Sequence, residues 1–133
     1  MVNTATPENF QRALRILAAL SVALAAGALY ILGAQPVAVG LIPSPWDKLA
    51  HLLVFGMVGA AAGVASGKRG WRMALYCVAG ATMVGTMDEL HQAFLPGRAA
   101  SWSDLAADLI GGLLGAGAVH AVHRFAGNRV KHR

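Results

Sequence analysis

Three short segments of this chain together carry eleven polar side chains of types that bind ions or transfer protons. The segments cover residues 47–51, 88–92 and 98–108. Carboxylates, imidazoles and basic groups in one place can form an ion-pair network, hold a divalent cation or bind a phosphate. The candidate functional set is Asp47, Lys48, His51, Asp88, Glu89, His91, Gln92, Arg98, Ser101, Asp104 and Asp108.

Four apolar stretches position these segments. The chain is 56% apolar and 13% charged, and a soluble domain would carry about twice that charged fraction. A helix of roughly 20 apolar residues crosses a bilayer core. We therefore predict an all-α membrane protein, a bundle of four transmembrane helices with short loops, and treat residues 1–133 as one integral membrane domain. The predicted helices lie at about 14–34, 47–66, 71–92 and 103–124.

The distribution of charge predicts the orientation of the bundle. Nine of the eleven Lys and Arg residues lie on one side of the stretches, and five of the six acids lie on the other. Cytoplasmic loops collect Lys and Arg, so both termini should be cytoplasmic in a multi-pass protein of the bacterial cytoplasmic (inner) membrane. The net charge of +5 then reflects flanking residues beside a lipid bilayer, and no nucleic-acid partner is expected. The first stretch is longer than the apolar core of a signal peptide and should be retained.

The outer ends of helices 2, 3 and 4 should lie at the same depth, because short turns favour neighbouring helices. We expect His51, Glu89, Arg98 and Asp104 to form one cluster there, with helix 1 peripheral. Glycines at four-residue steps predict close helix packing. They are Gly59, Gly63 and Gly67 in helix 2, and Gly111 and Gly115 in helix 4.

Asp88 and Glu89 lie near the C-terminus of helix 3, where the helix dipole disfavours acids. Arg98 is the expected main counter-charge to this pair. Asp108 lies one turn inside helix 4, past any capping role, and its face should point into the bundle rather than at lipid.

Several candidates also have a simpler structural interpretation. Asp47 and Asp104 can cap helices, Ser101 fits the position before helix 4, and Lys48 can extend towards the membrane surface. His51 can be a satisfied buried histidine, and Arg98 a loop charge.

A metal site is a weaker prediction than an ion-pair network, because no spacing signature for a metal is present. No cofactor is predicted beyond a divalent metal as an open alternative. Its candidate ligands are His51, Asp88, Glu89 and Asp108, with His91 and Asp104 as further donors.

The motifs resemble those of the VanZ family, small bacterial membrane proteins named for a teicoplanin-resistance accessory protein. The resemblance covers about residues 43–120. This chain has Asp108 where the family often has Asn, which adds a negative charge. The matching motifs are Asp47-Lys48-x-x-His51, Asp88-Glu89-x-His91-Gln92, Pro96-Gly97-Arg98 with Ser101, and Asp104 with Gly111 and Gly115.

The resemblance implies a role at the cell envelope, either in resistance to glycopeptide antibiotics or in another envelope process, and it supplies no reaction. Two hypotheses therefore remain. In the first and favoured one, a non-enzymatic protein binds an envelope ligand or partner through its outer polar layer. In the second, an intramembrane enzyme, metal-dependent or not, acts on a lipid-linked or phosphate-bearing substrate. A lipid-linked envelope precursor or a glycopeptide is the expected partner, and the oligomeric state is open.

Overall fold

The computed structural model describes residues 6–131 and the side chains of residues 6–126. Over that range the chain is helical and contains no β-strand, which confirms the all-α prediction. A short 3-10 turn, Pro36–Ala38, lies in the connection after the first helix. The four helices are α1 (Pro7–Gly33), α2 (Trp46–Ser66), α3 (Gly70–Gln92) and α4 (Trp102–Lys131).

Three of these helices are long and apolar enough to cross a membrane, as in a membrane protein. They are α1, α2 and the Trp102–Ala126 part of α4. Helix α3 is also long, at 23 residues, but is not among them. It carries Arg72 near its start and the Asp88–Glu89 pair near its end, and these charges shorten its apolar part.

One helix begins well before its predicted start, and another lacks its predicted cap. Helix α1 starts at Pro7 rather than near residue 14, because Thr6 caps it: the amide of Asn9 donates to Thr6 Oγ1 over 3.3 Å. Proline suits the first helical position, where its missing N–H costs nothing. Helix α2 starts at Trp46 without any side-chain cap, because the Asp47 carboxylate instead accepts the Lys48 amide.

Helices α2 and α4 run parallel and nearly touch through their backbones. A Cβ added to Gly111 would lie 2.6 Å from the carbonyl oxygen of Leu52, and one added to Gly115 would lie 2.9 Å from the amide nitrogen of Ala60. Gly56 supplies the facing surface on α2. The predicted packing role of Gly111 and Gly115 is confirmed. Gly56, which was not predicted, packs in the same contact.

Helix α3 runs antiparallel to both and packs against both of them. A Cβ on Gly59 would lie 2.8 Å from the carbonyl oxygen of Cys77, and Gly63 also faces Cys77. Gly67 does not pack in this row: with φ of +63° it ends α2 in the left-handed conformation, which favours glycine.

Helix α1 is peripheral, as predicted, because none of its residues is buried. The packed interior lies between α2, α3 and α4, around Phe55, Met73 and Cys77, each at most 1% exposed. Three helices therefore fix the positions of the polar side chains, and the fourth covers one flank.

Candidate functional site

The predicted polar segments meet at one end of the bundle, where α2 and α4 begin and α3 ends. We call this the polar end. A cavity of about 400 Å³ opens there, the polar-end cavity, between these helices, α1 and the α1–α2 connection. Its polar lining consists of Asp47, His51, Asp88, Gln92, Arg98 and Asp104.

Lys48 is the central cation of the cluster. Its ammonium donates to Asp47 Oδ2 over 2.8 Å and to the carboxylate of Asp104. The side chains of Lys48 and Asp104 are 31% and 12% exposed, so this pair joins α2 to α4 in a partly buried position. The Lys48 ammonium is therefore held by two carboxylates, and Asp104 is an ion-pair partner as well as a residue of the first turn of α4.

Arg98 does not balance the Asp88–Glu89 pair, and that prediction is wrong. Its guanidinium donates through Nη1 to the carbonyl oxygen of Ala38 over 2.9 Å, and no carboxylate within the described side chains lies within 4.0 Å of it. The turn at Gly97, with φ of +76°, directs Arg98 towards the α1–α2 connection. Its buried Nε has no hydrogen-bond partner.

Asp88 and Glu89 each accept a hydrogen bond from a neutral donor. Gln92 donates to Asp88 Oδ2 over 2.7 Å, and the backbone amide of Ser101 donates to Glu89 Oε2. Glu89 is only 6% exposed, and its Oε1 is buried without a hydrogen-bond partner. The Ser101 contact ties the end of α3 to the start of α4.

His51 and Asp108 form a second link between α2 and α4. His51 Nδ1 lies 2.8 Å from Asp108 Oδ1, and Asp108 is fully buried, as its helix face predicted. Its Oδ2 has no partner. Gly85 makes room for this carboxylate, because a Cβ there would lie 2.8 Å from its carbon atom. Sequence reasoning missed Gly85, although it stands one helical turn before Glu89.

Two of the predicted site residues have other roles. His91 stacks on Tyr30 of α1, with ring centroids 3.9 Å apart. Ser101 caps α4, as its position predicted, since its Oγ accepts the Asp104 amide over 3.3 Å.

One group within the cluster has the chemistry and spacing for a metal ion. His51, Glu89 and Asp104 each offer one ligand atom, and these three atoms all lie within 4.8 Å of one another. Asp88 and Asp108, the other proposed ligands, instead bond to Gln92 and His51. A nitrogen and two carboxylate oxygens can hold a divalent cation or bind a cationic group of a ligand.

A comparison with protein families matches the chain over residues 4–123 to the model described as VanZ/LLP1. This match includes α1, which the motif resemblance did not cover. No curated protein and no solved structure matches the chain. Because the match covers α1, α2, α3 and most of α4, the chain belongs to the VanZ/LLP1 family.

Proposed function

We propose that this protein of the bacterial inner membrane binds an amphipathic ligand of the cell envelope in its polar-end cavity, which faces outwards. The single observation behind the proposal is the mixed lining of that cavity. One wall is apolar, formed by residues such as Leu29, Ile42 and Phe55, and the rest is charged or polar. A molecule with a polar head group and an apolar chain matches both parts.

The volume supports a head group as the bound part. Small-molecule pockets typically measure about 300–1,000 Å³, and this cavity is about 400 Å³. A complete lipid would not fit, so its chain would lie along the apolar wall formed by α1 and the connection. Arg98 has a buried Nε without a partner and a planar fork that suits a phosphate or carboxylate.

The experiment measures binding of two probes, a polyprenyl pyrophosphate and teicoplanin, to protein in lipid nanodiscs. We expect one probe to bind and Arg98→Gln to weaken that binding at least tenfold. Arg72→Gln is the matched control, because Arg72 is an exposed arginine at the opposite end of α3. Equal binding by wild type and Arg98→Gln, or no binding of either probe, contradicts the proposal. A change in teicoplanin susceptibility of expressing cells would connect the binding to resistance.

The His51–Glu89–Asp104 group favours a second candidate function, an intramembrane enzyme acting on a phosphate-bearing lipid. In that function the three side chains would hold a metal ion, which would supply an activated water for hydrolysis of the phosphoanhydride bond, and Arg98 would hold the phosphate. Release of phosphate from the polyprenyl pyrophosphate distinguishes the two functions. Turnover by wild type that disappears in Asp88→Asn and Glu89→Gln indicates an enzyme, whereas tight binding of an unaltered probe indicates a binding protein.

A further inference from the structure

We infer that His51, Glu89 and Asp104 bind a divalent transition-metal ion of the Zn²⁺ type at the edge of the polar-end cavity. The inference adds a metal to the proposed function, and it rests on that function only for the identity of the ligand that the metal would contact. Metal binding itself depends on these three side chains alone, so it can be measured without any lipid.

The spacing of the three ligand atoms is close to that of a formed site. Zinc lies about 2.0–2.2 Å from nitrogen and oxygen ligands, so two ligands of one tetrahedral ion are about 3.4 Å apart. The three atoms here lie within 4.8 Å of one another. Side-chain shifts of less than about 1 Å therefore bring them to bonding distance.

Glu89 gives an independent reason for a cation. A buried carboxylate oxygen without a hydrogen-bond donor is costly and needs an explanation. The amide of Ser101 fixes Oε2, while Oε1 is buried without a partner. A metal ion would supply the missing positive partner of Oε1.

Asp108 is suited to be a positioning residue for His51. Metal-bound histidines usually donate their other ring N–H to a carboxylate, which fixes the ring and its tautomer. Asp108 Oδ1 lies 2.8 Å from His51 Nδ1. With the proton on Nδ1, the lone pair of Nε2 is left for the metal.

The donor set indicates the class of metal and leaves a coordination position open. Imidazole suits zinc and its neighbours, whereas magnesium and calcium prefer oxygen alone. Three protein ligands with a free fourth position are typical of reactive zinc sites. Since His51 and Asp104 line the cavity, a phosphate or carboxylate oxygen of the ligand can fill that position.

Lys48 is a competing cation for the same carboxylate. Its ammonium contacts Asp104, which the metal would also use. When the metal binds, Lys48 can keep its 2.8 Å contact with Asp47 and release Asp104. Removal of the Lys48 charge should therefore strengthen metal binding, an effect opposite to that of removing a ligand.

The test is zinc calorimetry on chelator-treated protein in detergent, with Mg²⁺ in parallel and Co²⁺ absorption to report the ligands. We expect one Zn²⁺ per chain, at least tenfold weaker binding in His51→Gln and Glu89→Gln, and tighter binding in Lys48→Met. His120→Gln and Glu8→Gln are the matched controls, because both residues are exposed and lie outside the cluster. Melting curves without metal confirm that each variant is folded.

Asp108→Asn should weaken zinc binding about 10–100-fold and alter the Co²⁺ spectrum, as expected for the partner of a metal-bound histidine. Absence of stoichiometric zinc binding, or binding that survives both His51→Gln and Glu89→Gln, overturns the inference. Probe binding without zinc binding overturns the metal site and keeps the proposed function. Zinc binding without probe binding supports the metal site and contradicts the proposed function.

Discussion

At the scale of single residues, Lys48 and Asp104 couple the first turns of two helices. Asp104→Asn should lower the free energy of unfolding by about 1–3 kcal/mol, between the values for an exposed and a buried ion pair. The partial exposure of Lys48, 31% of its side chain, explains the intermediate value. Denaturation in detergent of Asp104→Asn, Lys48→Met and the double variant measures the coupling. Additive losses would show that the ion pair contributes nothing.

Loss of the Arg98 side chain should affect stability less than loss of a buried ion-pair partner would. Arg98→Ala removes one charged hydrogen bond, the one to the carbonyl oxygen of Ala38. It should cost about 1.5–3 kcal/mol, which is less than the loss of a buried ion-pair partner. Thermal melting alongside the probe-binding assay separates the two roles of the residue. Unchanged melting with lost binding would assign Arg98 to the ligand alone, whereas unchanged melting with unchanged binding would remove it from the site.

At the scale of helices, the contact between α2 and α4 can be tested with two glycines of the same helix. Gly111→Ala should destabilise the protein by at least about 1–3 kcal/mol, because its Cβ would collide with backbone that cannot move aside. Gly117→Ala is the control, since a Cβ there would meet nothing within 4 Å. We expect Gly117→Ala to be neutral or stabilising by up to about 1 kcal/mol through helix propensity. Equal melting temperatures for the two variants would contradict the close contact.

The positions of site residues on helices could be predicted from the sequence better than those of site residues in loops. The burial of Asp108 followed from its face on α4, because a helix face depends only on residue spacing. The partner of Arg98 did not follow, since it depends on the direction in which the turn at Gly97 leads the chain. The pairing of Lys48 with Asp104 could be predicted only from the alignment of α2 along α4. That alignment depends on the contact between Gly56 and Gly111.

At the scale of the whole molecule, we propose that α3 is a fourth membrane span and that both termini are cytoplasmic. Basic residues surround the end opposite to the polar end, including Arg15, Lys68 and Arg69. A C-terminal alkaline phosphatase fusion, active only outside the cytoplasm, should be inactive, and a fusion in the α3–α4 loop should be active. The reverse pattern would invert the orientation and place the polar-end cavity at the cytoplasmic face.

The glycine contact between α2 and α4 also has an entropic consequence. Ordering a side chain on folding costs rotamer entropy, and a glycine has none to lose. Gly56, Gly111 and Gly115 leave no side chain between the two backbones that could change rotamer. The distance between the backbones at His51 and Asp104 is therefore set by this main-chain contact, and changes of side-chain rotamer within the contact cannot alter it.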